Sequence, residues 1–194
     1  MQGTPLGWAA LHRNHHKYCE TELDIHSPEN RKGIFSKFWY SHIGWMATHD
    51  YNGDLSTLAD YPPDHPLRAM QQRVTLKMIL LAHLLVSLVL LGPPGILVDF
   101  AARFTSLHAM LTINSVCHMF GQTANKRCKA GNVWFTFAFQ LGDNWHMNHH
   151  ESPRLATNQR RIYQVDLVYC VIVLLSLLGL VKNIKKKEAR PRNV

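Results

Sequence analysis

One spacing occurs twice in this chain and restricts its fold more than any other feature. H-x-x-H-H appears as His12, His15 and His16, and again as His146, His149 and His150. Positions i, i+3 and i+4 of a helix share one face, so each box points three imidazoles the same way. Neutral imidazole is the commonest nitrogen ligand for metals such as iron and zinc. Six such nitrogens, with His118 beside them, are more than one metal needs. His118 adds a seventh, and Asn114, four residues before it, shares its helix face. The natural inference is helices that bring their ligands together around two metal ions.

The segment between the boxes is apolar. Residues 74–91 read VTLKMILLAHLLVSLVLL, 18 residues with a single Lys, enough to cross roughly 27 Å as a helix. Gly92-Pro93-Pro94-Gly95 makes a tight turn, and a second apolar stretch, 96–113, returns toward Asn114. Asp99 and Arg103 interrupt it, four apart on one face and placed to pair with each other. We read 74–113 as a transmembrane helical hairpin. A last apolar stretch, 165–181, is about one turn short of a comfortable span. A third crossing would put the Lys185–Lys187 run outside, against the positive-inside rule. A helix packed on a cytoplasmic domain is expected there, followed by a solvated basic tail at 183–194. The fold class is therefore all-α: a membrane protein whose single domain, 1–194, sets a cytoplasmic helical diiron domain on a transmembrane hairpin. Aromatic residues concentrated over 33–50, among them Phe35, Phe38, Trp39 and Trp45, suit a membrane–water interface. Residues 51–68, with Pro62, Pro63 and Pro66, read as a loop.

The net charge is +8, but the basic residues flank apolar segments, as Arg68, Arg73 and Lys77 do, and Lys126, Arg127 and Lys129. That arrangement places both flanks on the cytoplasmic side. No basic ladder interleaved with exposed aromatics appears, so nucleic acid is excluded as a partner. The four cysteines, Cys19, Cys117, Cys128 and Cys170, lack any C-x-x-C and indicate neither a disulfide framework nor a zinc ribbon. His26, His42, His49 and His65 read as loop or surface residues. His83 is expected to bond the neighbouring helix, and His108 to lie behind the ligands. A nitrogen-rich array larger than four ligands suits iron better than zinc. A histidine-rich pair of irons can activate dioxygen, and a membrane setting points it at unactivated C–H bonds of a lipid chain.

These residues resemble the integral-membrane fatty acid desaturases, especially the acyl-CoA Δ9 (stearoyl-CoA) group. The resemblance lies in HRNHHKYCETELDIHSP at 12–28, SHIGW at 41–45, NSVCHMFG at 114–121 and LGDNWHMNHH at 141–150, with Asp166 and Leu178-Gly179-Leu180 later. It implies a kinked tunnel for a long-chain acyl substrate, dioxygen as oxidant, and two Fe2+ ions. It implies electrons from cytochrome b5 or a ferredoxin, drawn from NAD(P)H through a reductase, and a cis double bond as product. By motif position, His16, His118, His146 and His150 would hold one iron, and His12, His15 and His149 the other, with Asn114 orienting a bound water. The family also has an earlier H-x-x-x-x-H box, which is not found in this sequence. One ligand per iron is then missing, and the chain is expected to be the C-terminal part of a longer enzyme or a truncated reading frame. Animal acyl-CoA members carry basic residues shortly after the Gly-Trp of the SHIGW-like motif. Here Gly44-Trp45 precedes Met46-Ala47-Thr48-His49-Asp50, which leaves acyl-lipid and acyl-carrier substrates open beside acyl-CoA. The alternatives are a membrane diiron hydroxylase or ketolase, and a truncated, non-catalytic membrane protein.

Overall fold

The computed structural model describes residues 4–48, 55–69, 73–121 and 128–186. His49, Lys126, Arg127 and the end of the basic tail fall outside these ranges. Among the described residues the regular structure is helical with no strand, as expected for an all-α chain, apart from one isolated bridge between Asn132 and Trp145. The chain divides into two compact units, Met1–Leu111 and Thr112–Val194.

The first unit opens with α1, Pro5–Tyr18. Thr4 caps it by accepting from the Gly7 amide at 3.2 Å, and Pro5 takes the first helical position, where no amide proton is needed. One side of α1 is apolar: Leu6 and Ala10 are buried against Leu58, and Leu11 packs with Tyr40, Trp45 and Leu111. The segment expected as a loop, 51–68, contains two short helical turns, Leu55–Leu58 and α3, Pro66–Ala69. Arg13 fastens α1 to the first of them with a forked pair to Asp60, 2.6 and 2.8 Å, and a bond to the Thr57 carbonyl at 2.8 Å. The aromatic segment forms α2, Ile34–His42, whose Phe35 and Trp39 are exposed while Tyr40 and His42 turn inward.

Two long helices complete this unit, α4 (Arg73–Leu91) and α5 (Gly95–Thr112), joined by the expected turn. They run antiparallel and touch. Arg103 bonds Asp99 on its own helix at 2.6 and 2.8 Å and reaches the Leu80 carbonyl of α4 at 2.8 Å. The paired charges therefore also satisfy a backbone oxygen of the neighbouring helix. Gly95 starts α5 so close to α4 that a Cβ there would overlap the Ser87 carbonyl. By length and composition one stretch among the described residues could cross a membrane, Gly95–Cys117, with 23 residues. The described apolar part of α4, Lys77–Leu91, is shorter. His83 is exposed on α4 rather than turned into the pair.

The second unit begins with a π-helical turn, Ile113–Cys117. A short helix, α6 (Phe137–Gln140), leads through left-handed Leu141 to Gly142, whose φ of 135° and contact with Asp166 leave no room for a side chain. The second box follows on α7, His146–Glu151. The last apolar stretch forms α8, Leu167–Leu177, capped by Asp166 through the Tyr169 amide at 2.9 Å. None of its residues is fully buried, but Tyr169, Ile172, Val173 and Ser176 form a half-buried side, while Leu167, Val171, Leu174 and Leu177 are exposed. The start of the tail is not free either, since the Lys185 carbonyl accepts from the Ala156 amide at 2.9 Å.

Candidate metal centre

In the first unit, α1 places His12 and His16 one turn apart, with Nε2 atoms 3.1 Å from each other. Trp8 stacks on the outer side of His12, ring centroids 4.7 Å apart, and fixes its plane. His15 is buried and held differently. Its Nδ1 donates to Asp24 Oδ2 at 2.9 Å, so Nε2 keeps the lone pair that a metal would use.

Asp24 is itself buried at the turn following α1. Its Oδ2 also accepts the Glu20 amide at 3.4 Å, and His26 Nδ1 stands 3.1 Å from Oδ1, close but off the line of a hydrogen bond. Burial pushes the Asp24 carboxyl up to about 7, against the pull of the backbone amides. His26, expected at the surface, is therefore an interior residue that packs on His15 and Trp45 at ring distances of 4.5 and 5.3 Å. His42 is likewise buried, with its Nε2 2.9 Å from His108 Nδ1. Burial, and secondarily His108, lowers its pKa. His108 is thus structural in its own unit.

In the second unit, three imidazoles converge. His146 Nε2 lies 3.1 Å from His118 Nε2 and 3.1 Å from His150 Nε2. Two nitrogens bound to one ion at about 2.1 Å and at right angles stand about 3.0 Å apart. The donor set thus fits a metal with open octahedral positions, and no sulfur is needed among these three. His118 ends the π turn, a local widening of the helix that periodicity at 3.6 does not reveal. Asn114 lies within that turn and is half-buried. His149 stands aside, its ring 5.6 Å from His146 and 5.9 Å from His150. Burial lowers its pKa to about 4, against a smaller opposite pull from the Asn158 side chain, so the ring is neutral at physiological pH.

The box is positioned by side chains that sequence reasoning did not single out. The N-cap residue of α7, Trp145, offers no side-chain cap. Asn132 replaces it from outside the helix, accepting the Met147 and Asn148 amides at 3.0 and 3.4 Å and donating to Asn148 Oδ1 at 3.0 Å. Gln164 accepts from Asn148 Nδ2 and from the Arg160 and Arg161 amides at 3.0, 2.8 and 2.9 Å, closing the loop after the box. Asp143 carries a carboxyl pushed up to about 6, first by burial and then by Asp166. A readable signal existed for Asp24 and His26, which sit in the quoted first motif. None existed for Asn132 or Asn158, whose roles depend on loop geometry.

The fatty acid desaturase family model matches residues 1–168, and the chain belongs to that family. Similar proteins include the "Probable lipid desaturase ADS3.2, chloroplastic" of Arabidopsis thaliana, 33% identical over 95% of this chain and 51% of its own length. The "Acyl-CoA 5-desaturase AL21" of Anemone leveillei is 33% identical over 95% of this chain and 57% of its own. The "Palmitoyl-monogalactosyldiacylglycerol delta-7 desaturase, chloroplastic" of Arabidopsis thaliana is 30% identical over 95% and 49%. The chain spans about half the length of these relatives.

Proposed function

We propose that this chain carries the greater part of the metal site of an oxygen-dependent acyl desaturase that puts a cis double bond into a long-chain acyl substrate. The observation that carries this reading is the convergence of His118, His146 and His150 on one point, in the order and spacing of a desaturase motif. The ligands proposed for two irons are His12, His15, His16, His118, His146, His149 and His150, with Asn114 holding a bound water. The local geometry favours a different sharing from the one that motif position implies. Within the first unit His12 and His16 converge as a pair that would share one iron, while His15 turns aside toward Asp24. Within the second unit His118, His146 and His150 converge, and His149 stands apart from them.

When bound, the irons supply dioxygen activation and removal of two hydrogens. The chain's own residues supply position. The rings are presented on short, capped helices, the buried Asp24 holds the tautomer of His15, and the neutral state of His149 keeps a lone pair ready. The apolar α4–α5 pair and the exposed apolar side of α8 support a membrane setting, and the basic flanks support a cytoplasmic face for the metals. The substrate would be an acyl-CoA, acyl-lipid or acyl-carrier thioester, since the relatives' names span acyl-CoA, galactolipid and acyl-carrier protein and several bond positions. The electron donor would be cytochrome b5 or a ferredoxin with its NAD(P)H reductase.

The test is expression of the protein from its complete gene in a host lacking desaturase activity. Oxygen-dependent appearance of acyl chains two hydrogens lighter is expected, and their loss in His146→Ala. A product heavier by one oxygen would instead make the protein a hydroxylase or ketolase. Absence of both, with iron-free protein, would leave a non-catalytic chain.

A further inference from the structure

One side of α2 takes no part in the metal site. Ile34, Phe35, Phe38, Trp39 and His42 share that side by helical spacing. The opposite side faces the core, where Tyr40 packs with Leu11, Trp45 and Leu111. At its last turn the first side meets α5: His42 Nε2 lies 2.9 Å from His108 Nδ1, with the rings stacked 5.1 Å apart. The row of rings continues in both directions. Phe38 stacks on His42 at 5.3 Å, and Phe104 lies against His108 at 4.2 Å, with Phe100 one turn further at 6.1 Å. Away from this joint both helices leave the row uncovered. On α2, Phe35 is 88% exposed and Trp39 67%; on α5, Phe100 is 67% exposed and Phe104 53%.

α5 belongs to the stretch long and apolar enough to cross a membrane. In the membrane setting proposed above, on which this inference rests, lipid covers Phe100 and Phe104. The apolar side of α2 runs on from that surface through the row of rings, so the same medium covers both. We propose that α2 is an interfacial helix: Ile34, Phe35, Phe38 and Trp39 enter the boundary between lipid headgroups and acyl chains, and the His42–His108 bond holds the helix at a fixed level on α5. That level is close to the end of α5, since His108 stands about 6 Å, one helical turn, before Thr112. Aromatic rings favour this boundary. Arg31 and Lys32, exposed ahead of the first turn, can reach lipid phosphates. An imidazole pair suits the joint, because one ring donates to the other and two polar edges that would otherwise meet hydrocarbon satisfy each other.

The experiment locates Trp39. Protein expressed from the complete gene is assembled in phosphatidylcholine nanodiscs whose lipids carry bromine either near the carbonyls or near the chain ends. Tryptophan fluorescence is compared between wild type and Trp39→Phe, so that the difference reports Trp39 alone. The shallow bromines should quench that difference at least about two-fold more than the deep ones, and aqueous iodide should leave it unchanged. Quenching by iodide would put the face in water, and resistance to both iodide and bromine would put it under protein; either result overturns the interfacial helix. The joint is tested separately with His42→Leu, which keeps the bulk and removes the bond. Iodide should then reach Trp39, and most of the quenching by shallow bromines should be lost. His108→Leu breaks the same bond from α5 and should give the same result, which keeps the test open if His42→Leu does not fold. Unchanged quenching in these variants would overturn the joint. A complete protein that stays in the aqueous phase and enters no nanodisc would instead overturn the membrane setting beneath the inference.

Discussion

The Nε2 atoms of His12 and His16 lie 3.1 Å apart, and those of His146 and His150 repeat that distance. Both pairs are one turn apart on a helix, where the side chains stack above each other. The rise of the helix thus brings two nitrogens to the separation that one ion requires. A position three residues on lies on the neighbouring edge of the same face, and its ring stands apart from the pair. We propose that the H-x-x-H-H spacing divides three ligands as two and one.

That division predicts an iron count. His12→Ala and His16→Ala should each lower the iron content of the purified protein from two to one. On the proposed sharing of one ion, the double variant should lose no more than either single. Elemental analysis beside a protein assay reads the outcome. A double variant devoid of iron would return His12 and His16 to separate metals.

Protonation of His149 has a definite sign. Burial holds its pKa at about 4, below the ordinary 6.5. Between those values the unfolded chain takes up the proton and the folded chain does not, so stability rises with pH across the window and is fully present above it. At about 1.4 kcal/mol per pH unit, the span is worth roughly 3 kcal/mol. Asp143 works in the opposite sense. Its carboxyl is pushed up to about 6 from 3.8, so its contribution is present in acid and fades as pH rises through that range. Comparing metal-free wild type with His149→Gln isolates the first effect. The wild type should lose stability relative to the variant between pH 7 and pH 4 in denaturant unfolding. Parallel curves would mean that His149 titrates normally.

The long features were legible because each depends on residues close in sequence. Helical placement of the boxes, the turn at Gly92–Gly95 and the Asp99–Arg103 pair all follow from spacing alone. The misses share a cause, which is tertiary burial. His26 and His42 carry no periodic signal, yet both are interior because Asp24 and His108 give them partners. The π turn at Ile113–Cys117 adds a residue to one helical turn without any mark in composition.

The approach of α4 and α5 depends on Gly95. Any Cβ there would overlap the Ser87 carbonyl, a backbone atom that cannot swing aside. Gly95→Val should force the helices apart, strain the Arg103 bond to the Leu80 carbonyl and cost about 1–3 kcal/mol. A lower midpoint for thermal unfolding in detergent is the expected reading. An unchanged midpoint would show that the turn has slack.

Asp24 is the acid on which the first box leans. Asp24→Leu keeps the bulk but leaves the His15 N–H without its acceptor in a buried site, at a cost of about 2 kcal/mol. Free rotation of the ring and access to the other tautomer should also weaken iron binding by roughly 10- to 100-fold. Asp24→Asn retains an oxygen to accept the same proton, so it should keep most of the stability while still weakening the metal, because only the charge is gone. Unfolding of the metal-free protein separates the first effect, and competition for Fe2+ against a chelator separates the second. If Asp24→Leu and Asp24→Asn were equal in both assays, the carboxylate would matter through charge alone, and the hydrogen bond to His15 would carry no weight.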